Sequence, residues 1–193
     1  MSLDSARLRT TTDPARPPTP GRGTSGTSRP STLGSVLILD RATYDGIVAH
    51  AKRDHPDEAC GVVAGPEGSD RPERLVEMVN AAGSPTFYEF DSTDLLRLYQ
   101  EMDARDEEPV VVYHSHTATE AYPSRTDIGL AMEPRAHYVL VGTREHGNNE
   151  GPVEFRSYRI VDGEVTEEEV AVVDALRSRS PHHATQQGDP DGR

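Results

Sequence analysis

Lysine, cysteine and tryptophan are nearly missing from this 193-residue chain: Lys52 is the one lysine, Cys60 the one cysteine, and tryptophan is absent. A single thiol excludes an intramolecular disulfide and any metal centre built from several thiolates, as expected in a reducing compartment. No basic block offsets the formal net charge of -13, which argues against a chain made to sit on nucleic acid or anionic lipid. Long apolar runs are also lacking. None approaches the roughly 20 residues that a membrane-spanning helix needs, and no hydrophobic stretch follows the N-terminal arginines as in a secretory leader. The expectation is a soluble, cytoplasmic protein whose partner is neither nucleic acid nor membrane.

Aliphatic residues are unevenly spread. Residues 1–32 are mostly Ser, Thr, Pro, Gly and Arg, too poor in apolar surface to offset the entropy of ordering, and read as a disordered tail. The run GRGTSG at 21–26 has the form of a dinucleotide-binding G-x-G-x-x-G, but the strand before it and helix after it that such a motif needs are missing. Residues 177–193 are again polar, and His182 and His183 belong to this second tail. What remains, 33–176, is long enough for one domain with one core.

Within that domain, periodicity predicts an α/β fold with a mixed sheet. Strands are expected at 36–39, 58–65, 74–80, 86–90, 110–116, 137–142, 153–161 and 164–173. The last two are joined at Asp162-Gly163, a hairpin signal. Asp40 is placed to cap a helix whose Tyr44, Ile47, Val48 and Ala51 share a face, and His55-Pro56 ends it. A second helix follows Asp91 or Ser92, with Leu95, Leu98, Tyr99 and Met102 at helical spacing, and a short one runs from about Ser124 to Met132.

The stretch YHSHTATEAYPSRTD, 113–127, carries the chemistry. Residues two apart on a strand face the same way, so His114 and His116 project together as half of a metal site. Asp127 follows His116 by eleven positions, in the first turn of the short helix, and can supply a third ligand. Two imidazoles and a carboxylate leave a fourth position open, the arrangement of a catalytic zinc rather than a structural one. Hydrolysis also needs a base, for which Glu58 at the head of a predicted strand is the candidate, and an oxyanion donor, for which Ser124 is. Ser124 to Asp127 is equally a capping box, and the two readings compete for the Asp127 side chain. Cys60, on the same strand face as Glu58, reads as buried filler, and His55 and His137 as structural. Ser84, Thr86 and Phe87 precede or begin a short strand whose edge can receive an extended peptide by backbone pairing.

Glu58 to Gly61 as E-x-x-G, then H-x-H and S-x-x-D, resembles the signature of the JAMM (MPN-type) zinc metallopeptidases. The resemblance covers most of the folded region. It implies a curved mixed sheet flanked by helices, one Zn2+ held by His114, His116 and Asp127, Glu58 as general acid/base and Ser124 as oxyanion donor. One position departs: Thr117 stands where many members have proline, which bears on loop geometry. The runs HSHTATEAYPSRTD and NAAGSPTFYEFDS look similar to a compact bacterial subgroup. Its known member removes cysteine from the C-terminal Gly-Gly-Cys of a ubiquitin-like sulfur-carrier protein in cysteine biosynthesis. The implied activity is that peptidase reaction, with the carrier as partner. The alternatives are a broader deconjugase acting on other ubiquitin-like tails or isopeptide bonds, and a non-catalytic MPN-type interaction module.

Overall fold

The structure is a computed structural model that describes residues 35–144 and 153–176. The expected tails, the 21–26 run, His182 and His183 lie outside the described residues. Among the described residues seven strands form one sheet: β1 (Val36–Asp40), β2 (Cys60–Pro66), β3 (Arg74–Met78), β4 (Glu107–His116), β5 (His137–Gly142), β6 (Glu154–Val161) and β7 (Glu164–Val173). Their spatial order is β1-β7-β6-β5-β4-β2-β3. β4 pairs antiparallel with β2 and parallel with β5, so the sheet is mixed as expected. The β6–β7 turn places Asp162 and Gly163 at φ 52° and 80°, the left-handed pair that a two-residue hairpin requires.

Helix α1 (Arg41–Asp54) starts at Asp40, whose carboxylate accepts the Thr43 N–H at 2.7 Å, and stops before Pro56. It packs on one face of the sheet through Ile47 and Ala51, against Leu37, Leu39, Val63, Val111, Tyr113, Val139 and Val141. The other face is covered by α2 (Ser92–Asp103) and by the segment containing α3 (Arg125–Leu130). Leu98 and Met102 pack on Cys60, Val62 and Met78, while Ile128 and Ala131 lie against Val112, Leu140 and Tyr158. No helix among the described residues is long and apolar enough to cross a membrane.

Three expectations need correction. Residues 86–90 form no strand. Their aromatic content suggested one, but the segment has a single isolated bridge, Asn80 to Phe90, and its backbone is held by side chains instead. Glu58 lies two residues ahead of β2 rather than heading it, because its N–H goes to the Ser84 carbonyl at 2.9 Å and leaves the ladder. The last helix is shorter, Arg125–Leu130, with Ser124 as its cap.

Candidate metal centre

Strand alternation and register assemble the site. In β4, Val112, His114 and His116 face α2 and α3, while Tyr113 and Ser115 face the opposite side. Cys60 pairs with His114, so the residue opposite His116 on the incoming chain is Glu58. Ser115 pins that chain: its N–H donates to the Ala59 carbonyl at 2.9 Å, and its hydroxyl accepts the Ala59 N–H at 2.8 Å. β4 then runs parallel to β5, so the connection 117–136 must pass over the mouth of the strand before returning. That crossover brings α3, and with it Asp127, back to the histidines.

The three sequence-predicted ligands converge. His114 Nε2 and His116 Nε2 are 3.2 Å apart, His114 Nε2 lies 3.5 Å from Asp127 Oδ1, and His116 Nε2 lies 3.4 Å from Asp127 Oδ2. Donor atoms on a tetrahedral zinc with bonds of about 2.0–2.1 Å sit roughly 3.3 Å apart, so the side chains are spaced for such an ion. The tautomer agrees. His116 Nδ1 donates to the Glu120 carbonyl at 2.8 Å, which fixes the proton there and turns the Nε2 lone pair inward. Two buried imidazole nitrogens in contact, facing a carboxylate, are better satisfied by a cation than by each other. Among the described residues this is the one cluster of three or more metal-capable side chains.

Cap and ligand roles do not compete at Asp127 after all. Its Oδ2 accepts the Ser124 N–H at 2.6 Å while Ser124 Oγ accepts the Asp127 N–H at 3.2 Å, a complete capping box. A carboxylate has about four lone-pair sites, so both oxygens remain directed at the imidazoles. Burial works to raise the Asp127 pKa, but the His114 and His116 imidazoles facing it outweigh this and hold the carboxyl well below its usual range. Burial lowers the His114 pKa; at His116 the same burial is outweighed by Asp127 and the Glu120 carbonyl, and the net direction is upward.

Glu58 is 5% exposed. Burial pushes its carboxyl up to about 7, with His116 opposing and Asp127 reinforcing the rise. A carboxyl poised there can accept and return a proton near neutral pH. Ser124 is exposed at the head of α3, with its own O–H available as a donor. Cys60 is fully buried and its thiol points to the Met78 carbonyl at 3.8 Å; burial pushes its pKa up to about 12, consistent with inert filler. His55 meets Thr143 Oγ1 at 3.2 Å, and His137 is locked between Glu168 and Asp70.

The 84–87 segment borders the site without being a strand. Ser84 and Pro85 offer their carbonyls to Glu58 N–H and Thr117 Oγ1, at 2.9 and 2.8 Å, while Thr86 and Phe87 are exposed. Two neighbours were missed by sequence reasoning. Tyr88 stacks on His114 at 4.5 Å between ring centroids and also lines an apolar groove of about 450 Å3 with Leu98, Met102, Val112 and Tyr138. Asn80 contacts the Glu58 backbone. Both fall within the NAAGSPTFYEFDS run that carries the resemblance, but the sequence assigns neither of them a role.

Residues 40–161 match the family model described as prokaryotic homologs of the JAB domain. The chain is 63% identical over 139 residues to the CysO-cysteine peptidase of Mycobacterium tuberculosis, covering 72% of this chain and 92% of that protein. It is 30% identical over 111 residues to the desampylase of Haloferax volcanii, covering 55% and 80%. A solution structure of a protein from Desulfitobacterium hafniense aligns with a TM-score of 0.62 at 28% identity, covering 77% of this chain and 97% of that one.

Proposed function

Because the chain belongs to the family of prokaryotic homologs of the JAB domain, as a JAMM-type hydrolase, we propose that it is a zinc-dependent peptidase acting on a ubiquitin-like sulfur-carrier protein. The bond cut is the one after the carrier's C-terminal Gly-Gly, and the product is cysteine, a step of cysteine biosynthesis in the cytoplasm. The observation that carries the chemistry is the convergence of His114, His116 and Asp127 beside a buried carboxyl at Glu58. The 63% identity to a protein named for cysteine release supports the substrate.

In this reading one zinc per chain, held by His114, His116 and Asp127, supplies Lewis-acid activation of water and of the scissile carbonyl. Glu58 takes the proton of the attacking water and returns it to the departing amine of cysteine. Ser124 donates a hydrogen bond from its hydroxyl to the oxyanion, a lone pair of that hydroxyl being engaged by the Asp127 N–H. The Gly-Gly tail lies extended beside Ser84, Thr86 and Phe87, the segment that borders the metal centre. The catalytic domain is 33–176.

The test is free cysteine released from a carrier ending in Gly-Gly-Cys, by wild type and Glu58→Gln, each with and without a chelator. Chelation should abolish release, and Glu58→Gln should slow it by about two to four powers of ten with zinc content unchanged. Release that survives the chelator would overturn the metal role. The similarity to a desampylase favours a second reading, a broader deconjugase. Equal rates on a lysine-linked tail and on Gly-Gly-Cys would establish that one.

A further inference from the structure

Glu58 stands outside the β ladder, so its placement depends on what replaces ladder bonds. Its N–H donates to the Ser84 carbonyl at 2.9 Å, and its own carbonyl accepts from Asn80 Nδ2 at 2.9 Å. Both backbone groups of the candidate base therefore answer to one loop, residues 80–90, which runs from the end of β3 to α2.

Asn80 closes that loop. Its Nδ2 also donates to the Phe87 carbonyl at 3.0 Å, with the Ser84 carbonyl at 3.5 Å, and its Oδ1 accepts the N–H groups of Ala82 at 3.0 Å and Glu89 at 3.1 Å. A side-chain amide offers two donors and two acceptor sites, and all are used here. The orientation is unambiguous, since a flipped amide would set its oxygen against carbonyls. A second tie, Thr117 Oγ1 to the Pro85 carbonyl at 2.8 Å, fastens the same loop to the strand end that carries His116.

We propose that Asn80 is a positioning residue that sets the Glu58 carboxylate and the 84–87 edge against the metal centre as one unit, with Thr117 as the latch of the edge alone. The proposal deepens the peptidase reading and rests on it. A base displaced by about 1 Å can lose up to a hundredfold in rate, so the carboxamide reaches catalysis through geometry without touching substrate.

The two ties predict different kinetic signatures on a carrier ending in Gly-Gly-Cys. Asn80→Asp keeps the acceptor bonds to Ala82 and Glu89 but sets a carboxylate oxygen against the Glu58 and Phe87 carbonyls, so kcat should fall by about 10- to 100-fold with zinc content near wild type. Thr117→Val should raise KM several-fold at unchanged kcat, and Thr117→Ser should restore it. Asn80→Ala serves as the second variant should the aspartate disturb folding. Hydrogen exchange without substrate gives an independent reading, with the Glu58 amide exchanging faster in Asn80→Asp than in wild type. Wild-type kcat in both Asn80 variants, a kcat loss that tracks zinc loss, or a Thr117→Ser variant that behaves like Thr117→Val would overturn the proposal. A wild type that releases no cysteine, with the exchange effect present, would instead sink the peptidase reading and leave Asn80 a loop closure only.

Discussion

His50 and His137 are as thoroughly buried as His114 and His116, yet the two pairs are built to opposite ends. His50 has Tyr113 Oη on Nδ1 at 2.7 Å and Asp54 on Nε2 at 3.0 Å. His137 has Glu168 on Nδ1 and Asp70 on Nε2, with Arg159 and Ser157 completing the shell of Glu168. Every ring nitrogen of these two is answered by the protein, and each ring braces one element against another. His114 and His116 instead direct nitrogens at one another across 3.2 Å. Burial is the same in both pairs, so the partners on the nitrogens, and not depth in the core, separate a strut from a candidate ligand.

The contrast can be broken most severely at Asp127. Asp127→Ala removes the anionic donor, and metal content measured by atomic emission should fall to background together with activity, a loss well beyond the 10- to 100-fold typical of an outer partner. Full metal occupancy in that variant would put the ligand assignment in error. On the strut side, Glu168→Gln leaves the buried His137 imidazole and the half-buried Arg159 guanidinium without their shared carboxylate and should cost about 3 kcal/mol in denaturant unfolding, with zinc content untouched.

The pH dependence has a definite sign. Burial acts to raise the Glu168 pKa, but hydrogen bonds from His137, Ser35 and Ser157 prevail and hold it at about 2, below the ordinary 4.5. Between these values the unfolded chain binds more protons than the folded one, so stability from this group is present above about 4.5 and is lost as pH falls towards 2. Glu168→Gln should flatten that acid limb, and an unchanged limb would remove Glu168 from the account. The smallest effect is expected behind the site. A Cβ on Gly61 would meet Tyr113 Cζ at 2.5 Å, so Gly61→Ala should displace the ring from His50 and cost about 1–3 kcal/mol.

Much of this was legible because period-2 spacing and fixed motif distances survive translation into a sheet. His114 and His116 share a face by strand geometry alone, and Asp40, Asp91 and Ser124 were readable as caps from residue type. Glu58 lies opposite His116 with its setting misjudged, since the sequence of a strand entrance resembles that of the strand. The 86–90 segment misled for a related reason: aromatic density signals burial, and here it serves an apolar groove and the stacking of Tyr88 on His114 rather than a ladder. The role of Asn80 was not legible, although it opens the NAAGSPTFYEFDS run, because an asparagine after a strand looks the same whether it is solvated or clamps five backbone groups.

The parallel pairing of β4 with β5 has a mechanical consequence. It obliges the chain to leave the end of β4 and cross back over it, so His116 and Asp127 lie on opposite sides of an eleven-step excursion that nothing covalent closes, in a chain with a single thiol. An ion shared by both residues would tie that excursion shut in the folded state, adding its binding free energy to the stability of the crossover. The metal would then be a removable staple as well as a reagent, and protease nicking between 117 and 136 should be slow in the loaded protein and quick once it is stripped.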